Sequence, residues 1–298
     1  MTLTSTLVAA TFCALLQQPL TECVVSNNTP AAVAGIQTIT TPQHTGEAVD
    51  VVLTAQAAIV WDVATGTILY EKNADSQRPV ASLSKLVSAL TIRSLMAPAT
   101  IVEISPAVRS AQLSGANIKL PIGQHATVQE LLEAGMIASA NDAMVALAEA
   151  SSGSEQEFVT YANAHAAELG LSHTQLANAT GLEGGTQYST ARDIMQAMKR
   201  VYSDSLLRSF MDQKSGVLVT EEGARRAYET TNDLIGTYMP ILAGKTGYTL
   251  EAGENLTIIT RDSAGHTIGA VVLGSDQRFQ DMKVLVEWVW RNYTWHTL

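Results

Sequence analysis

The chain has 298 residues, of which 46% are hydrophobic and 15% are charged. That balance supports a sizeable buried core and excludes global disorder. The formal net charge of −10 argues against a nucleic-acid-binding protein, because neutralising phosphates requires clustered lysine and arginine, and the sequence has no such cluster.

Metal and redox chemistry are also disfavoured by composition. The two cysteines, Cys13 and Cys23, lie near the amino terminus, so the rest of the chain can form neither a disulfide framework nor a CxxC metal site. The six histidines show no HExxH or comparable ligand spacing. We therefore expect no metal and no cofactor.

Residues 1–23 are predicted to be a signal or membrane-proximal segment. The apolar stretch LVAATFCALL (7–16) is too short to span a bilayer but has the length of a secretory h-region, although no basic n-region precedes it. A merely apolar terminus is the alternative, and cleavage, lipidation at Cys23 and retention all stay open. Residues 24–53, rich in Thr, Ala and Pro without a sustained period, are predicted to be a flexible linker.

The predicted elements follow in chain order from residue 54. Two β-favouring runs, AAIVWDV and TILYEK, flank Ala64-Thr65-Gly66 and predict a hairpin. Apolar residues at three- and four-residue steps then predict helices, interrupted by the short strands IVEIS and ANIKL. Strands return after residue 215, and a last helix is predicted over about 279–293. Strands at both ends that enclose a helical middle indicate an α+β fold with a mostly helical insert over about 84–205.

A candidate reactive pair opens the first predicted helix, in PVASLSKLVSAL (79–90). Ser82 and Lys85 are three residues apart and share a helix face. A lysine whose pKa is lowered by burial or by a neighbouring cation can take the proton of a serine hydroxyl. The pair alone is weak evidence, because 22 serines and 7 lysines produce this spacing by chance about once in two such chains.

Two further motifs follow. Ser139-Ala140-Asn141 opens another predicted helix, and Lys245-Thr246-Gly247 ends a strand-like run. An ordinary helix cap and an ordinary strand-to-turn junction are the respective alternatives. In order, Ser-x-x-Lys, Ser-x-Asn and Lys-Thr-Gly form the motif set of penicillin-binding proteins and β-lactamases.

The sequence around these motifs resembles the low-molecular-mass penicillin-binding proteins of the D-alanyl-D-alanine carboxypeptidase family, which are serine peptidases of the bacterial cell wall. The resemblance covers about residues 54–293 and implies a β-lactamase/transpeptidase-like fold, with an antiparallel five-stranded sheet flanked by helices and a catalytic domain over 54–298. It lies in VASLSKL, SANDAMVALAE, NATGLEGGTQYSTARD (178–193), TND (231–233) and KTGYTLEAGENL (245–256).

The same resemblance implies catalytic roles. Ser82 would be the nucleophile that accepts the acyl group, and Lys85 would be its general base. Ser139 would pass a proton to the leaving D-alanine, and Asn141 would bind the acyl-side amide and hold Lys85. Lys245 would polarise Ser139 and supply positive potential.

Substrate-binding residues are implied in and after the last motif. Thr246 and Thr249 would grip the terminal carboxylate, and Gly247 would let the ligand approach the backbone closely. Arg278 resembles a family arginine that binds the same carboxylate, with a surface arginine at the end of the sheet as the alternative.

The oxyanion hole, by this resemblance, would consist of the backbone N–H groups of Ser82 and Tyr248. The expected substrates are peptidoglycan stem peptides that end in D-Ala-D-Ala, and β-lactams are expected as covalent inhibitors. Two nearby lysines would attract such an anionic peptide and would lower one another's pKa. An extracytoplasmic location follows from that substrate.

The chain departs from the family in three places, one of which is the atypical signal segment described above. Gln187 stands where many relatives have a histidine, and we expect no appended β-rich domain or membrane anchor after WVWRNYTWHTL. The tryptophans of that stretch are predicted to pack in a terminal helix on the sheet, with an interfacial anchor as the alternative.

Three other functions remain open. A β-lactamase needs a second base, typically in a Glu-x-x-x-Asn loop, and no such motif lies between residues 139 and 245. A DD-endopeptidase acting on peptidoglycan cross-links would use the same residues. A non-catalytic sensor of β-lactams or peptidoglycan would keep the fold without turnover.

Overall fold

A computed structural model describes residues 40–46, 50–184 and 186–297 of the chain. By its internal contacts the chain divides into residues 1–38 and 39–298, and every element described below belongs to the second unit. The predicted signal segment and residues 24–39 and 47–49 of the predicted linker lie outside the described residues.

A five-stranded antiparallel sheet forms the centre of this unit, in the order β3-β2-β10-β9-β8. All six residues of β2 are buried, which explains why its sequence is a continuous apolar run rather than an alternating one. The α+β prediction with an antiparallel five-stranded sheet is therefore confirmed. The strands are β2 (Ala57–Asp62), β3 (Ile68–Lys72), β8 (Ile241–Thr249), β9 (Gly253–Arg261) and β10 (Thr267–Ser275).

Helices cover both faces of the sheet. The carboxy-terminal helix packs Met282, Leu285 and Val289 on one face against an apolar cluster from β9 and β10. The other face packs against the helical middle of the chain through a second and larger apolar cluster. The helices are α1 (Lys85–Leu95), α2 (Val108–Ala111), α3 (Val128–Ile137), α4 (Asn141–Ser152), α5 (Glu155–Glu168), α6 (Ala191–Ser203), α7 (Ser205–Phe210) and α8 (Arg278–Asn292).

Three two-stranded ribbons complete the unit: β4 (Ile101–Glu103) with β5 (His125–Thr127), β6 (Ser215–Val219) with β7 (Arg225–Glu229), and β1 (Thr40–His44) with β11 (Tyr293–Thr297). Residues 40–44, predicted as part of the linker, are thus a strand. Their sequence, TTPQH, carries no alternation of apolar and polar residues, so the pairing depends on a partner more than 240 residues away.

The predicted strand ANIKL (116–120) is wrong. The backbone N–H groups of Ile118 and Leu120 donate to the carboxylate of Asp142 at 3.2 and 2.9 Å instead of to a neighbouring strand. Asp142 is fully buried at the start of α4, so this stretch satisfies its backbone by binding a side chain.

The predicted terminal helix is confirmed by α8, whose Met282, Leu285 and Val289 are buried against the sheet. The prediction for the tryptophans is confirmed only in part, because Trp288 and Trp290 lie on α8 but Trp295 lies in β11. In the described part of the chain, the helices are all too short or too polar to traverse a bilayer.

Candidate active site

The candidate nucleophile lies in a 3₁₀ turn, Ala81–Ser84, directly before α1, rather than in the first turn of the helix itself. With three residues per turn, a 3₁₀ segment aligns residues i and i+3, so Ser82 faces Lys85 at the first position of α1. Ala81 has a φ of 49°, a left-handed conformation that costs a non-glycine residue about 1–3 kcal/mol. The packing around this turn must therefore hold it in place.

Lys85 is completely buried and its amine meets three oxygen atoms. Its Nζ lies 2.8 Å from Ser82 Oγ, 2.7 Å from Asn141 Oδ1 and 2.5 Å from the backbone oxygen of Thr180. The amide and carbonyl oxygens can only accept, so they take two amine hydrogens. The remaining tetrahedral direction points at Ser82, where a neutral amine has its lone pair and can accept the hydroxyl proton.

The second motif lies at the junction of α3 and α4. Ser139 has a φ of 59°, again in the left-handed region, and Asn141 is the first residue of α4. Asn141 N–H donates to Ala116 O at 2.8 Å, and its side-chain Nδ2 donates to Ser114 O at 3.3 Å. With Nδ2 bound in this way, Oδ1 is directed at Lys85.

The third motif lies on β8. Lys245 is 1% exposed, and its Nζ donates to Ser139 Oγ at 2.9 Å and to Thr246 O at 3.1 Å. The structure thus groups the five residues predicted to be catalytic into two linked pairs, Ser82 with Lys85 and Ser139 with Lys245. Asn141 connects the two pairs, because it lies two residues after Ser139 and its side chain contacts Lys85.

Both lysines have a lowered pKa. Burial, and secondly the charge of Lys245, holds the pKa of Lys85 well below its ordinary value of 10.5. Burial, and secondly the charge of Arg278, lowers the pKa of Lys245 to about 7. A buried amine beside another cation loses its proton readily, which is the property a base for serine requires.

Strand β8 passes directly beside the nucleophile. A methyl group on Gly247 would lie 2.7 Å from Val80 O and 3.1 Å from Ser82 N, so a side chain at this position would push the strand away from the 3₁₀ turn. The next residue, Tyr248, is 56% exposed. Among the described residues β8 pairs only with β9, so its other edge has no strand partner.

The remaining predicted binding residues lie along this edge. Thr246 is buried and hydrogen-bonds through its hydroxyl to Thr231. Thr249 ends β8, where its hydroxyl accepts from Ala252 N at 3.1 Å. Arg278 Nη1 donates to Gly247 O at 3.1 Å, so this arginine lies beside the third motif and not at a remote end of the sheet.

Sequence reasoning missed the backbone oxygen of Thr180 as a partner of Lys85. Thr180 lies in the stretch NATGLEGGTQYSTARD, which carried the resemblance but no assigned role. A carbonyl oxygen is present in every residue, so no side-chain pattern could single it out.

No metal centre is evident in the described residues (40–46, 50–184 and 186–297), where no three His, Cys, Asp or Glu side chains are grouped to hold an ion. The expectation of a reaction without metal or cofactor stays a prediction.

Both the fold and the sequence resemble those of known proteins. The structure resembles the crystal structure of the Streptomyces K15 DD-transpeptidase with a TM-score of 0.76 at 26% identity, covering 82% of this chain and all of that one. The fold is therefore that of the DD-peptidases, the penicillin-binding proteins.

The sequence defines the family. Residues 42–277 match the family model described as D-alanyl-D-alanine carboxypeptidase. The chain belongs to this family, as the resemblance implied.

Individual relatives agree with that assignment. The chain is 34% identical over 251 residues to the D-alanyl-D-alanine carboxypeptidase DacF of Bacillus subtilis, covering 82% of this chain and 64% of that protein. It is 28% identical over 242 residues to the D-alanyl-D-alanine endopeptidase of Pseudomonas aeruginosa, covering 80% and 77%. The chain thus spans just under two thirds of the length of the carboxypeptidase.

Proposed function

We propose that the protein is a serine-type D-Ala-D-Ala carboxypeptidase that removes the terminal D-alanine from peptidoglycan stem peptides. The main support for this proposal is the contact of 2.8 Å between Lys85 Nζ and Ser82 Oγ. The other two partners of this amine, Asn141 Oδ1 and Thr180 O, can only accept hydrogen bonds. Family membership supplies the substrate class.

Acylation begins with transfer of the Ser82 hydroxyl proton to the neutral amine of Lys85. Ser82 Oγ then bonds to the carbonyl carbon of the penultimate D-alanine. The negative charge that develops on the carbonyl oxygen is stabilised by the backbone N–H groups of Ser82 and Tyr248. Such a donor contributes about 3–4 kcal/mol where one has been removed from other enzymes.

The carbon–nitrogen bond breaks next, and the leaving amine needs a proton. Ser139 donates its hydroxyl proton to that nitrogen, and its oxygen receives the proton that Lys85 took from Ser82, so that Lys85 is neutral again before deacylation. The contact of 2.9 Å with Lys245 Nζ supports this role, because an adjacent ammonium stabilises a partly deprotonated hydroxyl. D-Alanine leaves, and water releases the acyl group from Ser82 with a proton again passing to Lys85.

The substrate carboxylate binds at the end of β8, where two cationic side chains lie close together. Lys245 and Arg278 provide the potential, and the hydroxyls of Thr246 and Thr249 provide donors. Asn141 binds the acyl-side amide, and the unpaired edge of β8 accommodates the peptide as an additional extended strand.

A β-lactam acylates Ser82 in the same way and inhibits the enzyme, since no Glu-x-x-x-Asn loop between residues 139 and 245 supplies a second base for rapid hydrolysis. Because the proposed substrate belongs to the cell wall, we propose an extracytoplasmic location. We also propose that residues 54–298 form the catalytic domain.

Two assays test the proposal together. Mass spectrometry after benzylpenicillin treatment should show a stable adduct on Ser82, and a defined pentapeptide ending in D-Ala-D-Ala should release one D-alanine. Ser82→Ala should abolish both while keeping the fold, because the Ser82 side chain caps no helix and its hydroxyl bonds only to Lys85 Nζ and, at 3.4 Å, to Thr180 O. Labelling of that variant would refute the nucleophile.

The same assays separate the alternatives. A cross-linked peptide dimer cleaved faster than the pentapeptide would replace the carboxypeptidase by an endopeptidase. An adduct without any peptide cleavage would indicate a sensor, and rapid consumption of penicillin would indicate a β-lactamase.

A further inference from the structure

The loop of residues 178–182, Asn-Ala-Thr-Gly-Leu, is built against the nucleophile and its base. Its Thr180 oxygen lies 2.5 Å from Lys85 Nζ and 3.4 Å from Ser82 Oγ. The neighbouring Gly181 lies so close to the 3₁₀ turn that a methyl group on it would be 2.2 Å from Ala81 O and 2.5 Å from Ser84 Oγ. Gly181 has a φ of 83°, so both its conformation and its surroundings require glycine.

The Asn178 side chain organises this loop. Its Oδ1 accepts three hydrogen bonds, from Thr180 N at 3.1 Å, Thr180 Oγ1 at 2.9 Å and Gly181 N at 2.7 Å. Its Nδ2 donates to Leu182 O at 2.8 Å. One amide group therefore spans the whole turn.

Because the peptide bond is planar, the contacts of Asn178 also fix the direction of the Thr180 carbonyl, which bonds to Lys85. The Thr180 carbonyl and the Gly181 N–H belong to one planar trans peptide unit, so they point in opposite directions. Asn178 holds the N–H on one side, and the carbonyl oxygen is thereby directed at Lys85 on the other. Ala179 is fixed as well, with its N–H donating to Glu155 at 2.9 Å and its oxygen accepting from Ser88 Oγ at 3.0 Å.

We infer that Asn178 is a positioning residue for the base. It fixes the Thr180 carbonyl, which together with Asn141 occupies two directions around Lys85 Nζ and leaves the lone pair for Ser82. This inference rests on the proposed function, since it gives Asn178 a role in acylation of Ser82.

The main test compares Asn178→Ala with Asn163→Ala. Asn163 is a matched control, because its side chain also bonds to the backbone nearby, at Leu176 N (2.8 Å) and Leu176 O (3.0 Å), but makes no contact with the two lysines. The second-order rate constant for acylation by benzylpenicillin should fall about 10- to 100-fold in Asn178→Ala, the loss expected from a displacement of about 1 Å. It should be unchanged in Asn163→Ala, and the two variants should lose similar thermal stability.

Asn178→Asp is the second variant and covers the case in which the alanine variant does not fold. It keeps an oxygen acceptor for the three donors and adds a negative charge near Lys85. The charged group that already acts on this amine is Lys245 on β8, with Arg278 beside that lysine, while Glu155 on α5 bonds to the same loop at Ala179 N. The added carboxylate stabilises the ammonium form, so the acid limb of the acylation profile should move to higher pH.

The outcomes separate this inference from the proposed function. Wild-type protein that is not acylated at Ser82 overturns both. Wild-type protein that is acylated, with Asn178→Ala reacting as fast as Asn163→Ala, overturns the positioning role alone. So does an acylation rate of Asn178→Asp that stays tenfold or more below wild type on its high-pH plateau, because this variant keeps the acceptor contacts that hold the loop.

Discussion

The two buried lysines of the site share one chemistry but lie in different surroundings. Lys85 begins a helix and meets two obligate acceptors and the Ser82 hydroxyl, and no carboxylate among the described residues bonds to it. Lys245 lies on an edge strand, meets the Ser139 hydroxyl and adjoins Arg278. Burial lowers the pKa of Arg278, and the carboxylates of Glu254 and Asp233 oppose that shift.

The difference indicates how one site can hold a neutral and a charged amine together. Burial lowers both pKa values, and the charge of Lys245 lowers that of Lys85 further. In the proposed mechanism Lys85 is the base, and Lys245 on β8 is the cation that receives the anionic substrate.

The largest effect is expected for Lys85→Ala. Removing a general base lowers rates by about 10²–10⁴-fold, and the rate constant for Ser82 acylation by benzylpenicillin should fall in that range. Stopped-flow or mass-spectrometric labelling measures it. An equal loss in Lys245→Ala would show that the two roles have been assigned wrongly.

A smaller loss is expected for Lys245→Ala. A hydrogen bond to a charged group contributes about 1.5–3 kcal/mol, which corresponds to a fall of about 10- to 150-fold in kcat/KM for the pentapeptide. Lys245→Arg keeps the charge and serves as the control, retaining more activity than the alanine variant. If the two variants are equally impaired, charge is not what Lys245 contributes.

The pH dependence should report Lys245 directly. Its ammonium form is present below a pKa of about 7 and is lost as the pH rises through that value. The kcat/KM for a peptide with a free carboxylate should therefore fall above pH 7, by up to tenfold per pH unit. A peptide ending in a carboxamide, although a poorer substrate, should not show this fall. Parallel profiles for both peptides would argue against electrostatic recognition.

The smallest effect is expected for Arg278→Gln. Losing one half-buried donor should lower kcat/KM about 2- to 10-fold. Because the charge of Arg278 lowers the pKa of Lys245, its removal should also shift the falling limb of the profile to higher pH. A profile that stays in place while activity falls would limit Arg278 to a structural role.

The sequence indicated which side chains lie together because they belong to motifs with short internal spacings. Ser82 and Lys85 are three residues apart, and their contact follows from the local turn. The contact between Ser139 and Lys245 spans 106 residues, and only the succession of three motifs indicated it. The central sheet was predictable because its strands are strongly apolar.

Other features depend on contacts that a sequence pattern does not encode. The 3₁₀ turn at Ser82 was predicted as part of the helix, since both conformations place residues three apart on the same side. The strand β1 depends on β11 at the far end of the chain. The third partner of Lys85 is a backbone oxygen, whose position is decided by how the loop of residues 178–182 folds.

The protonation state of Lys85 is the central claim, and lysine-selective NMR titration tests it most directly. The chain has seven lysines, few enough to assign each side-chain signal by single Lys→Arg variants. The signal that disappears in Lys85→Arg should titrate far below pH 10 and correspond to a neutral amine at neutral pH. If that signal instead titrates near 10.5, Lys85 is an ammonium in the resting protein and cannot accept the proton of Ser82.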